Sequence, residues 1–159
     1  MQHAALSPED LPAPEQMRRM TGLEIMRAVL EGRLAGAPIG ATLDFALDAV
    51  EEGRAVFRAA PRFEHANPMG TTHGGWYGAI LDSAMACAVM TRLPRGASYT
   101  TLEYKVNIVR AVPVGVAVLC EGVASHVGRR TGVATGEIRG AEDGRLYATG
   151  STTCLVLEG

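Results

Sequence analysis

An α+β domain, with one long apolar helix wrapped by a mostly antiparallel sheet, is the fold this sequence predicts. Three observations carry that expectation. The segment from Trp76 to Met90 is apolar on every side and holds one charged residue, Asp82, as a buried helix does. Beyond Ala97 the chain alternates apolar and polar positions in segments of strand length. A helix of about five turns is covered on most sides only if a sheet curls around it.

The elements follow in chain order. Residues 1 to about 14 contain Pro8, Pro12 and Pro14 and are expected to form a flexible lead-in. From Glu15 to Arg33, Met20, Leu23, Met26, Leu30 and Leu34 recur at three- and four-residue steps, which predicts an N-terminal helix closed by Gly36 and Pro38. Thr42 to Val50 and Arg54 to Phe63 read as two strands joined by the turn Glu51, Glu52, Gly53. After the loop Glu64 to Thr72 the central helix runs from about Gly74 to Arg92, ended by Pro94 and Gly96. Ser98 to Val112 places Leu102, Tyr104, Val106 and Ile108 on one strand face. Val114 to Val127 and Arg130 to Ile138 continue the sheet, and the hairpin turn at Glu142, Asp143, Gly144 leads into Leu146 to Leu157. The chain thus divides into residues 1–40, lead-in and N-terminal helix, and residues 41–159, the helix-and-sheet domain.

Bulk properties narrow the function. The 159 residues suit one domain with a real core. A hydrophobic share of 47% and a charged share of 20% argue against disorder. The net charge of −2 offers no basic field for nucleic acid. No apolar run reaches the ~18 residues of a membrane span, and the N-terminus lacks a signal-peptide layout, so a cytoplasmic protein is expected. Cys87, Cys120 and Cys154 are widely spaced among apolar residues. They have neither disulfide-framework nor metal-ligand spacing, and no metal is expected.

The candidate chemistry sits at the start of the central helix. Asn67-Pro-Met-Gly-Thr-Thr-His73-Gly74-Gly75 joins a turn-rich loop to that helix, and Asp82 follows inside it. Glycine at a helix start costs up to ~1 kcal/mol relative to alanine, but it lets an anion approach N–H groups that have no partner within the helix. A developing oxyanion in acyl transfer needs such donors. Asp82, among small and apolar residues, is a candidate general base or nucleophile. Asn67 either orients water or a substrate carbonyl, or makes a turn ahead of Pro68. His73 suits a capping or loop-holding place. Thr100 and Thr101 open the strand after the helix, and Arg129 and Arg130 beside Gly128 are either phosphate ligands or a solvated turn. No G-x-S-x-G elbow is present. Gly74 and Asp82 lie eight helical residues apart, about 12 Å along the axis, too far to serve one carbonyl. If both act in one reaction, they come from different chains, and the site lies at a two-fold interface.

These segments, with Asp82, Ser83, Ala84 and the stretch Tyr99 to Arg110, closely resemble the hotdog-fold acyl-CoA thioesterases, nearest the phenylacetate-degradation (PaaI-like) branch. The resemblance covers about Thr42 to Leu157. It implies a hotdog fold, an antiparallel sheet of five to six strands around one long helix, with this chain's N-terminal helix outside the common core. It also implies a homodimer, commonly paired into a dimer of dimers, with the active site at the interface. On the matching positions, Asp82 is the family's catalytic carboxylate, Gly74 the glycine whose N–H polarises the thioester carbonyl, and Asn67 the asparagine that positions water or substrate. Counted back from Arg110, Thr101 matches the assisting hydroxyl residue, whereas Thr100 is the one sharing a face with Leu102 and Tyr104. His73, Gly75, Gly128, Arg129 and Arg130 are the expected substrate contacts. The family often has proline after the arginine, where this chain has Ala111. Coenzyme A enters as part of the substrate, and no separate cofactor is expected. The expected activity is hydrolysis of an acyl- or aryl-CoA thioester. A non-catalytic acyl-CoA-binding protein and an enoyl-thioester hydratase or dehydratase are the alternatives.

Overall fold

The computed structural model describes residues 3–158. Four α-helices and six strands follow one another in the order α1 (Pro14–Arg18), α2 (Gly22–Leu30), α3 (Pro38–Leu43), β1 (Phe45–Glu51), β2 (Arg54–Ala59), α4 (Gly74–Met90), β3 (Ser98–Ile108), β4 (Val118–Val127), β5 (Thr131–Gly140) and β6 (Leu146–Leu157). The strands form one antiparallel sheet in the order β1-β2-β4-β5-β6-β3. Helix α4 touches all six strands, so the sheet curls around it. This is the hotdog architecture the sequence predicts.

Packing explains why α4 can be apolar all round. Tyr77, Ile80, Leu81, Met85 and Val89 are almost wholly excluded from solvent. The sheet comes close to the helix because small residues line its inner face. A Cβ at Gly122 of β4 would strike the Ala84 carbonyl of α4. Any side chain there would therefore push helix and sheet apart.

The N-terminal region departs from the expected single helix. Thr21 caps α2 and splits the segment: its hydroxyl accepts from the Glu24 N–H at 3.3 Å, and its own N–H donates to Glu24 Oε2 at 2.7 Å. That reciprocal pair is a capping box. Helix α3 occupies the expected start of the first strand. Pro38 stands at its first turn, and Asp44, in the left-handed region at φ 56°, ends it so that β1 begins only at Phe45. Residues 3–13 belong to the expected flexible lead-in, whose first two residues lie outside the described ones. Ala5 is buried; its N–H donates to Gly36 O at 2.9 Å, and the Gly36 N–H donates to His3 O at 2.8 Å.

Strand β3 forms one edge of the sheet and bonds only to β6. It carries a bulge: Thr101 pairs with Cys154 and Glu103 with Thr153, leaving Leu102 without an opposite number. The bulge puts Thr101 and Tyr104, three residues apart, on the same face. Along this edge Leu102, Tyr104 and Ile108 are exposed.

Candidate active site

The loop before α4 holds itself together. The Asn67 side-chain oxygen accepts from the N–H groups of Met69 (2.9 Å) and Thr71 (3.3 Å), and its amide nitrogen donates to Thr71 Oγ1 at 2.8 Å. Asn67, expected either to orient water or substrate or to make a turn, here spends its amide within its own turn. Two buried side chains that sequence reasoning did not single out fasten the loop to the core. His65 accepts from the Arg62 N–H at Nδ1 (3.0 Å), its Nε2 donates to Thr42 O (3.0 Å), and its carbonyl accepts from the His73 N–H (2.8 Å). Thr72 Oγ1 donates to Val112 O at 2.6 Å, while the Val112 N–H donates to the buried Tyr77 hydroxyl at 2.7 Å. No motif flags these residues, because the core groups they fasten to, Thr42 and Val112, lie 23 to 40 positions away.

At the helix start, His73 is the N-cap, and its Nδ1 accepts from the Gly75 N–H at 2.9 Å. The Gly75 donor is therefore occupied. The Gly74 N–H has no acceptor among the described residues, and Gly74 is exposed. A helix N-terminus that presents one unoccupied donor beside the positive end of the dipole suits a developing anion.

Asp82 lies two turns further along α4. Its carboxylate is half-buried and, among the described residues, accepts one hydrogen bond, from Thr101 Oγ1 at 2.9 Å. The bulge in β3 brings Thr101 here rather than Thr100. Loss of water raises the Asp82 pKa above the ordinary carboxylate value, and the Thr101 hydroxyl opposes that rise in part. A carboxylate that is poorly solvated and singly bonded is a stronger base than an exposed one. Cys87 stands near it, but burial pushes its thiol up to about 12, so the sulfur remains protonated at neutral pH.

Asp82 and Thr101 both line a cavity of about 810 Å³ between α4, the N-terminal helices and the β1–β2 hairpin. Gly74 does not line it. Within one chain, the expected donor and carboxylate are thus not brought together. Gly128, Arg129 and Arg130 sit apart from the cavity, at the β4–β5 turn, where the Gly128 N–H donates to Thr131 O at 2.8 Å. Both arginines are exposed, and among the described residues neither has an ion-pair partner. The described residues include no group of three or more histidine, cysteine or acidic side chains able to hold a metal. No described helix is long and apolar enough to cross a membrane.

Comparison with known proteins gives this geometry a context. The thioesterase superfamily profile matches residues 69–147, from the loop before α4 to the start of β6. A phenylacetic acid degradation-related protein of Ralstonia eutropha JMP134 superposes with a TM-score of 0.74 at 28% identity, covering 82% of this chain and 98% of that one. A mutant of the phenylacetic acid degradation protein PaaI from Thermus thermophilus superposes with a TM-score of 0.67 at 29% identity, covering 74% and 97%. A thioesterase protein of Streptococcus pneumoniae TIGR4, solved with coenzyme A, shares the fold with a TM-score of 0.65 at 22% identity, covering 72% and 86%. No curated protein matches the chain.

Proposed function

This chain belongs to the thioesterase superfamily and is a thioester hydrolase; on that premise we propose that it cleaves acyl-CoA in a site shared by two chains, with Asp82 as general base. The observation that carries this reading is the Asp82 carboxylate, which lines a largely apolar cavity and accepts a hydrogen bond from Thr101. Coenzyme A bound to the Streptococcus pneumoniae neighbour supports the choice of thioester.

In the proposed reaction a water oxygen adds to the thioester carbonyl carbon while Asp82 takes the water's proton. The negative charge that develops on the carbonyl oxygen is met by the N–H of Gly74 of the partner subunit. The carbon–sulfur bond then breaks, coenzyme A leaves through sulfur and takes up the proton, and the acyl group departs as the free acid. Asn67 and His73 act by position: one shapes the loop and the other occupies the Gly75 donor, so that Gly74 is left to the substrate. Arg129 and Arg130, exposed and without acid partners among the described residues, are assigned to the phosphates of coenzyme A.

Two features support a second chain. Gly74 and Asp82 sit eight residues apart on one helix, and of the two Asp82 alone lines the cavity. The eleven-residue β3 also offers an unpaired edge with exposed Leu102, Tyr104 and Ile108. A long apolar edge of this type calls for a neighbouring strand.

The test is release of free thiol from acetyl-, decanoyl- and phenylacetyl-CoA by wild type and by Asp82→Asn. The variant is expected to lose at least about 100-fold in kcat, the range for general-base help. Near-normal turnover by a folded Asp82→Asn protein would remove Asp82 from this role. Single-turnover reaction in oxygen-18 water should label the acid and leave Asp82 unlabelled. Label in the aspartate would mean direct attack instead.

A further inference from the structure

We propose that the N-terminal layer of this chain, α1 and α2, is the specificity wall of the acyl pocket, and that it selects an apolar acyl group of about eight to ten carbons. This rests on the hydrolase reading of Asp82 given above. The residues of α4 that line the cavity are Asp82, Ser83, Ala86, Cys87 and Met90. They form one helical face that begins at the carboxylate and runs toward the helix C-terminus. From Asp82 to Met90 that face measures about 12 Å. A zigzag of carbon–carbon bonds near 1.5 Å advances roughly 1.3 Å per atom, so about nine carbons span it.

The same cavity is lined by Ile25, Met26 and Val29 of α2 and Met17 of α1. Their side chains are apolar, and Ile25 and Met26 are almost fully buried. These four residues lie before the region matched by the superfamily profile, which starts at residue 69. The wall is therefore supplied by a part of the chain outside that common region. A reacting carbonyl carbon must sit beside Asp82. An acyl tail attached to it has this corridor to enter, where contact with hydrocarbon is favourable.

The wall is also fixed in place, which a length-setting surface requires. At one end the Gly22 N–H donates to Leu93 O at 3.1 Å, and a Cβ on Gly22 would strike the Met90 carbonyl. Beyond the other end, Gly36 exchanges hydrogen bonds with His3 and Ala5. Helix α2 is thus tied at its start to Leu93, just beyond the end of α4, and after its end to the N-terminal segment. It can neither slide along the corridor nor swing away from it without breaking those bonds.

Val29 is the position for a test, because it lines the cavity, is only half-buried and can take a larger side chain with least strain. The readout is the ratio of kcat/KM for decanoyl-CoA to that for acetyl-CoA, with phenylbutyryl-CoA as the aryl-ended arm. Val29→Phe should lower both the decanoyl and phenylbutyryl ratios at least ten-fold, and Val29→Ala should move the optimum to a longer chain. Where Val29→Phe lowers the melting temperature, Val29→Met applies the same comparison with a smaller change. Unchanged ratios in the folded variants overturn the proposal. If wild type releases thiol from no acyl-CoA, the hydrolase reading fails by itself, and the wall is judged by calorimetric titration of decanoic acid. Weaker binding to Val29→Phe than to wild type upholds it, and equal binding overturns it.

Discussion

The two halves of the proposed site are built on opposite principles. In the loop before α4, the polar groups of Asn67, Thr71, Thr72, His65 and His73 are spent on one another and on nearby backbone. Among the described residues the exposed Gly74 N–H is left without an acceptor. Around Asp82 the reverse holds: a charged group is set among apolar side chains and given a single hydroxyl. The first half gains reactivity by leaving the Gly74 donor free at a helix start. The second gains it by removing water. The contrast implies that the loop half should fail through misplacement, and the carboxylate half through chemistry or charge.

The largest effect that separates the two is loss of Asp82. Beyond the fall in kcat already stated, the sign of its pKa shift fixes a stability change. The folded protein favours the protonated carboxyl. That stabilisation is complete below the unfolded pKa and is lost as pH rises through the raised folded value. Asp82→Asn should therefore melt higher than wild type at neutral pH, and the difference should shrink in acid; scanning calorimetry at several pH values measures both. An unchanged or lower melting temperature at neutral pH would mean that the carboxylate is well solvated.

Next comes Gly74→Pro, which deletes the N–H and little else. Proline is accepted at the first helical position, the preceding His73 is already extended at φ −66° and ψ 141°, and a Cβ there would meet only Ile108 Cδ1 at 3.6 Å. A fall of about 10²–10³ in kcat is expected, as for loss of one oxyanion donor. Mixing Gly74→Pro chains with Asp82→Asn chains should then restore activity, with one intact site in each mixed dimer. No recovery after refolding the mixture would place both groups in the same chain's site.

A smaller change is expected for Thr101→Val. Activity needs ionised Asp82, so kcat/KM falls as pH drops through its pKa. The Thr101 hydroxyl lowers that pKa, so its removal should move the acid limb of the profile to higher pH. A shift in the other direction would mean that the hydroxyl favours the protonated acid. The smallest effect belongs to Asn67→Ala, where loss of turn hydrogen bonds costs about 1 kcal/mol and less activity than Gly74→Pro. A loss as large as that of Asp82→Asn would put the Asn67 amide on the substrate.

The central helix, its partner sheet and the Asp82 environment were legible because one charge in an apolar helix and period-two strands are local signals. Other features were hidden for specific reasons. Counting by twos from Tyr104 leads to Thr100, but the bulge at Leu102 inserts a residue and turns Thr101 to the carboxylate. A bulge leaves no mark in alternation until its partner strand is known. Thr21 and Glu24 did carry a readable capping box, yet the heavier rhythm of Met20, Leu23 and Met26 ran straight through it. Helix α3 begins at a proline that reads equally as a stop and as a first turn. The role of α2 as a cavity wall depends on contacts with α4 and β1, which no window of sequence contains.

The free edge of β3 has a kinetic meaning. If each working site needs two chains, catalytic capacity becomes a property of concentration as well as of sequence. Dilution below the dissociation constant would then leave intact, folded chains with nothing to catalyse, and the observed rate would fall with the square of the chain concentration. Mass action on an exposed strand would regulate turnover with no effector at all.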